Sequence, residues 1–421
     1  MMQPEKAKGC IAFQKGKAMK KIISLFLAVV ALTVLALPAS AAVNVEDGYD
    51  YTRFADEGIT LNVYNWGLYI SDGSDDSLDT VAEFEELTGI DVNYTTFDTN
   101  ESLYSKLKSG GSQYDVIIPS EYMIDKMARE GMLEKLNLDN IPNFSKIGDK
   151  YKNLTCDPNN EYCVAYTWGT VGIIYNTTLV NGPVTGWSDL WDEQYAGQIL
   201  MFNNSRDAYA IASKLLGNSL NPANVAEIDQ ATEKLKEQKH LVQAYVMDEI
   251  FDKMEGGEAA LAPYYAGDAI TMMEDNPDLA FCFPKEGTNY FVDAMCIPAG
   301  CKNKEAAEMF INFMCEDEVS AANLAFIGYS CPQVDAVKLL PEEMRNNPIM
   351  YPDEEQLQQT EMFQTLDAEL AAAMDKQWSD VRSYDESGSS GYTIPLVLAF
   401  VVVLAVIILR RRAVKRSRED Y

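Results

Sequence analysis

The sequence predicts an α/β protein of two lobes joined by long extended crossovers. Three observations carry this. Strand-like runs alternate with helical periodicity in the order β-α-β-α-β-α between residues 59 and 130. A second, similar region begins at residue 199. Two long extended segments, 164–175 and 290–298, join the two regions and read as crossovers. The length of 421 residues is too great for one small domain and suits two lobes.

Each element has a local reason. Residues 59–66 (Ile-Thr-Leu-Asn-Val-Tyr-Asn-Trp) alternate as a strand does. From 78 to 87, Val81, Phe84 and Leu87 recur at helical spacing, and Thr88-Gly89 stops the helix. Residues 90–94 are strand-like, and Asn100 is placed to cap a helix bearing Leu103, Tyr104 and Leu107. A short strand, 114–118, ends at Pro119-Ser120, and 122–130 returns to helix. Such an order implies a parallel sheet covered on both faces. In the second region the spacing predicts strands at 199–202, 242–246, 259–264 and 279–283, with helices at 205–216 and 225–238. A last helix, 304–315, places Ala307, Phe310, Ile311 and Met314 on one buried face.

A hydrophobic fraction of 47% with 23% charged residues is that of a folded chain. The net charge of -30 argues against nucleic-acid binding, which needs a basic surface. His240 is the only histidine, which rules out a multi-histidine metal site and disfavours a histidine-based triad. It sits at a helix end and is expected to be solvated. No cofactor or metal is expected, and the protein is expected to be a monomer. Residues 43–409 hold 22 Lys+Arg against 61 Asp+Glu, so an acidic body lies between two basic ends. Acid-rich stretches such as 72–79 read as solvated faces.

Met19-Lys20-Lys21, the apolar run 22–37 and Ala39-Ser40-Ala41 have the order of a secretory signal peptide, with 1–18 as upstream sequence. Near the other end, 383–391 reads as a linker and 392–409 as a transmembrane helix; eighteen residues at about 1.5 Å each span roughly 27 Å. The tail 410–421, with Arg410-Arg411-Arg412, is then cytoplasmic by the positive-inside rule. The body is therefore expected on the extracytoplasmic face of a membrane. Seven cysteines follow the signal. Cys156 and Cys163 flank a turn that either a local disulfide or two thiols would suit, and Cys315 reads as a buried hydrophobe.

In open α/β sheets, ligands sit beyond the carboxyl ends of the strands. That rule points to 66–69, 120–122 and 203–207, which hold aromatic, hydroxyl and acidic groups. Such a mixture suits an organic cation, since ring faces and carboxylates both attract ammonium groups.

Several motifs then carry a resemblance. They are 63–69 (Val-Tyr-Asn-Trp-Gly-Leu-Tyr), 115–127 (beginning Asp-Val-Ile-Ile-Pro-Ser-Glu-Tyr), Ala165-Tyr166-Thr167-Trp168-Gly169-Thr170, Trp187-Ser188-Asp189-Leu190-Trp191, Phe283-Pro284-Lys285-Glu286-Gly287 and Ile327-Gly328-Tyr329. Collinear from about residue 59 to 375, the set resembles the bacterial spermidine/putrescine-binding proteins of ABC transporters. The resemblance implies a two-lobed periplasmic-binding-protein fold of type II, with the crossovers as hinge. Lobe 1 would comprise 43–168 and 293–328, and lobe 2 would comprise 169–292 and 329–382.

The resemblance further implies that a polyamine is held by Trp66, Tyr69, Ser120, Tyr122, Asn204, Asp207, Tyr265, Phe291, Asp293, Tyr329 and Gln364. It also implies delivery to membrane permease subunits. Two positions depart from the pattern: Leu68 and Asn204 stand where acidic residues are common. Asp293, lying between apolar neighbours, needs a cationic partner, either a ligand amine or an internal Lys or Arg. Asp207 and Ser120 also suit helix starts, and Trp168, Trp187 and Trp191 read as packing residues. The residues alone leave open thiamine or an amino-acid derivative as the ligand, and a membrane-tethered sensor as the role.

Overall fold

The computed structural model describes residues 43–384, apart from 47, 111 and 112. The signal-like segment, the apolar run 392–409, the basic tail and most of the linker lie outside the described residues. Among the described residues no helix is long and apolar enough to cross a membrane.

The strands are β1 (Thr60–Trp66), β2 (Asp91–Phe97), β3 (Val116–Ile117), β4 (Cys163–Asn176), β5 (Ile199–Phe202), β6 (Val242–Val246), β7 (Leu261–Tyr265), β8 (Leu279–Cys282), β9 (Thr288–Cys296) and β10 (Thr360–Glu361). The longer helices are α1 (Thr80–Thr88), α2 (Asn100–Lys108), α3 (Glu121–Arg129), α4 (Ser205–Leu215), α5 (Val225–Gln238), α6 (Ile250–Glu255), α7 (Ala266–Asp275), α8 (Lys304–Met314), α9 (Asp317–Ile327) and α10 (Ala368–Ser383).

Local chemistry sets the boundaries. Asp79 caps α1 by accepting from the Ala82 N–H at 2.9 Å, and Gly89 ends the helix at a φ of 71°. The acids of 72–79, Asp79 included, are nonetheless all exposed, as expected of a solvated face. Removing that cap in Asp79→Ala is expected to cost about 0.5–2 kcal/mol in urea unfolding, with the slope of the transition unchanged. The expected Asn100 cap is corrected: Thr99 caps α2 in a reciprocal pair with Ser102. Asn100 is instead buried against Ser120.

The sheet runs in the order β2-β1-β3-β9-β4-β7-β5-β6, with β10 on β9 and β8 on β4. β1 is parallel to β2 and β3, and β5 is parallel to β6 and β7. The expectation of a wholly parallel sheet fails at its centre. There β4 and β9 pair antiparallel with each other, β3 antiparallel with β9, and β7 antiparallel with β4. The physical reason is connectivity: β4 leads the chain out of the first region and β9 brings it back, so the two must run oppositely. Their register places Thr167 opposite Asp293, and a single bridge joins Ser120 to Asp293.

Aromatic packing closes the faces. Phe84 of α1 meets Phe310 and Phe313 of α8 edge-on, with ring centroids 5.1 and 5.4 Å apart. Trp378 of α10 packs on Tyr209 and Tyr245. Trp168 is buried among Tyr151, Tyr290 and Tyr351 and donates to the Cys331 carbonyl at 3.3 Å. Trp187 and Trp191 likewise donate to backbone carbonyls, of Gly287 and Lys234. His240 is not merely solvated; its Nε2 lies 2.9 Å from a Glu193 carboxylate oxygen.

The cysteines of the described chain are all free thiols, Cys156 and Cys163 included. The loop between them is closed by Asp157, whose carboxylate accepts from the N–H groups of Glu161, Tyr162 and Cys163 at 2.7–3.1 Å. A turn held by three such bonds needs no covalent clasp.

Candidate functional site

Asn65 organises the turn that follows β1. Fully buried, it accepts from the Trp66 N–H and donates to the Tyr69 carbonyl. That carbonyl also accepts from the Tyr166 hydroxyl at 2.7 Å. Leu68 takes a left-handed φ of 50° and is exposed, while Tyr69 turns inward and is buried. After β3, the buried Asn100 holds Ser120 through both its amide groups, so Ser120 faces Asp293 and makes no side-chain cap to α3. After β5, Asn204 caps α4 by accepting from the Arg206 N–H, and Asp207 falls in the first turn.

These turns and the second crossover, β9, surround one cleft. Ten of the eleven residues expected from sequence line it: Trp66, Tyr69, Ser120, Tyr122, Asn204, Asp207, Tyr265, Phe291, Asp293 and Tyr329. Gln364 is the exception. It is exposed and lies outside the cleft, while its neighbour Phe363 enters the lining. The difference is one residue along an extended segment, where adjacent side chains point to opposite sides.

The sequence reading missed two carboxylates in the lining, Asp248 after β6 and Asp268 in the first turn of α7. Asp268 had a signal: an acid just inside a helix that follows a strand is the placement of Asp207. Together Asp207, Asp248, Asp268 and Asp293 give the cleft four acidic groups, and its lining contains no Lys or Arg.

Asp207, Asp268 and Asp293 each accept from a tyrosine and form no ion pair among the described residues, although the Arg206 guanidinium still pulls the Asp207 carboxyl down. Tyr69 donates to Asp293 Oδ2 at 2.7 Å, while Asp293 Oδ1 is buried without a hydrogen bond. Tyr265 donates to Asp207 at 2.9 Å, and Tyr329 to Asp268 at 3.0 Å. Burial raises the Asp293 carboxyl to about 6 against the pull of the nearby Ser120 and Tyr69 hydroxyls. Burial likewise raises Asp207 to about 7 and Asp268 to about 8. An internal partner for Asp293 is thus absent among the described residues. Arg206 is turned away toward the Tyr122 and Phe363 rings, at 5.1 and 4.5 Å.

The aromatic groups form a connected wall. Tyr69 meets Tyr329 edge-on at 4.7 Å, and Phe291 meets Tyr265 at 5.6 Å. Gly169 and Gly267 leave room for it. A Cβ at Gly169 would come within 2.8 Å of the Phe291 ring, and one at Gly267 within 2.3 Å of the Tyr329 ring. The cleft can therefore take a slender molecule with cationic ends and an apolar stem.

A model of the bacterial extracellular solute-binding protein family matches residues 79–352. The chain belongs to that family. This solute-binding protein is 35% identical over 309 residues to the spermidine/putrescine-binding periplasmic protein of Escherichia coli, spanning 73% of this chain and 87% of the relative. It is 29% identical to the putrescine-binding periplasmic protein SpuD of Pseudomonas aeruginosa, across 77% of this chain and 92% of that one. Among solved structures it resembles the spermidine/putrescine ABC transporter substrate-binding protein PotD of Streptococcus pneumoniae. There the TM-score is 0.65 at 35% identity, covering 77% of this chain and 99% of that chain. Its fold is the periplasmic-binding-protein fold.

Proposed function

We propose that this solute-binding protein captures a polyamine of the putrescine or spermidine class and presents it to an ABC permease. The observation that carries the reading is the unpaired acidity of the cleft: four carboxylates, no basic side chain and a wall of rings. Ammonium groups supply the missing charge, and each ring face adds about 0.5–2 kcal/mol. Micromolar affinity needs only about -8 kcal/mol, within reach after desolvation and closure costs. The names of the relatives point to the same ligand class.

Capture proceeds by hinge rotation of two lobes, 43–168 with 293–328 and 169–292 with 329–382, about β4 and β9. Because both lobes line the cleft, ligand favours the closed form. The role is binding and delivery, without catalysis. The signal-like segment 19–41 and the apolar run 392–409 support an extracytoplasmic body tethered to the cell membrane.

Calorimetry and thermal-shift assays on the purified protein with putrescine, cadaverine, spermidine and spermine are the test. At least one amine is expected to bind with micromolar or tighter affinity and to raise Tm. No heat and no stabilisation from all four would overturn the reading.

A further inference from the structure

Asp248 differs from the other three cleft carboxylates. It follows β6, it is exposed, and among the described residues its carboxylate has neither a hydrogen bond nor an ion pair, whereas the other three each accept from a tyrosine. Yet its surroundings are not those of a free surface acid. Partial burial, with Asp98 and then Glu249 nearby, pushes its carboxyl upward. Neither neighbour can neutralise it.

Gly67, immediately after β1, is the reason the carboxylate can lie there. A Cβ at Gly67 would come within 2.2 Å of Asp248 Oδ2 and 3.3 Å of its Cγ. The carboxylate therefore lies against the bare backbone of the β1 turn, next to Trp66, and reaches across the rim from the β6 side. Leu68, the position where the resemblance leads one to expect an acid, is exposed and outside the lining.

The four acids share one lining but differ in exposure. Asp207 and Asp293 are buried, Asp268 is half-buried and Asp248 is exposed. Within the cleft, Asp293 Oδ1 is buried without a hydrogen bond. Ammonium groups held by the inner acids leave Asp248 unmatched, and a further one has its place beside it.

We propose that Asp248 is the outer amine-binding carboxylate and favours a triamine over a diamine. This rests on the polyamine reading above. The stem of the ligand passes Trp66, and its outermost ammonium group meets Asp248 over Gly67. The contact is half-solvated, so its effect is smaller than that of the inner acids.

The test is calorimetry with putrescine and with spermidine on the full chain and on Asp248→Asn. The spermidine-to-putrescine affinity ratio is expected to fall about three- to tenfold in the variant. A ratio does not register a misfolded fraction, which removes sites for both amines alike. Wild-type protein that binds both amines, with a ratio unchanged by the substitution, overturns the role of Asp248 alone. Wild-type protein silent toward both overturns the polyamine reading itself.

Discussion

Asp293→Asn is expected to weaken polyamine binding by about 30-fold or more, because truncating one side of a buried charge pair costs 2–5 kcal/mol. The substitution is close to isosteric. The amide oxygen can still accept from the Tyr69 hydroxyl, now 2.7 Å from Asp293 Oδ2. What disappears is the charge that faces the ammonium group. The same change is expected to leave the Tm of the ligand-free protein unchanged or higher at pH 8. At that pH the wild-type carboxylate is ionised, buried and without a cation, which is a net cost to the empty fold. A merely structural aspartate would behave in the opposite way, with Tm falling and affinity held. Titration calorimetry and a ligand-free melt on the same sample separate the two.

The arrangement around Asp293 was largely legible in the sequence, because strand ends and turns announce themselves locally. Trp66 through Tyr69 ends a strand, Ser120 follows a proline, and Asp207 follows an asparagine cap. Asp293 stood out as an acid in an apolar crossover. The strand direction at the centre of the sheet was not legible in that way. The pairing of Thr167 with Asp293 joins residues far apart in the chain, and no local pattern encodes its sense. The missed carboxylates have a different cause. Asp268 looks like an ordinary acid in the first turn of a helix, favourable to the helix dipole wherever it points. Asp248 sits in a turn, where acids are common. Only the folded chain brings Gly67 beneath one and Tyr329 beside the other. Leu68 and Asn204 lack the acids that the resemblance leads one to expect. Asp268 and Asp248 restore the count from elsewhere in the chain.

The four-acid cleft has a consequence for pH, and its sign follows from the direction of the shifts. Asp293, Asp207 and Asp268 are raised by burial to about 6, 7 and 8. Glu121 is raised to about 8 by burial and by Asp293. It lies behind the cleft, where its carboxylate accepts from the Val292 N–H at 3.1 Å. In the unfolded chain such carboxyls titrate near 4. Between pH 4 and 8 the empty folded protein therefore holds more protons than the unfolded chain, and its stability falls as pH rises through that window. Glu130 works in the opposite sense, held down to about 2 first by Lys108 and then by Lys126, but it acts only on the acid side. Polyamine reverses the trend at the cleft. An alkylammonium group keeps its charge to about pH 9, as lysine does, and binds the ionised carboxylates. Binding is then expected to release protons, and affinity is expected to rise at least about tenfold from pH 5.5 to pH 8. Calorimetry in two buffers of different ionisation enthalpy measures the released protons directly. Ligand-free Tm is expected to decline over the same range while the ligand-induced shift grows. An affinity flat across it, with no proton release, would mean that these carboxylates are already ionised in the empty cleft or do not meet the amine.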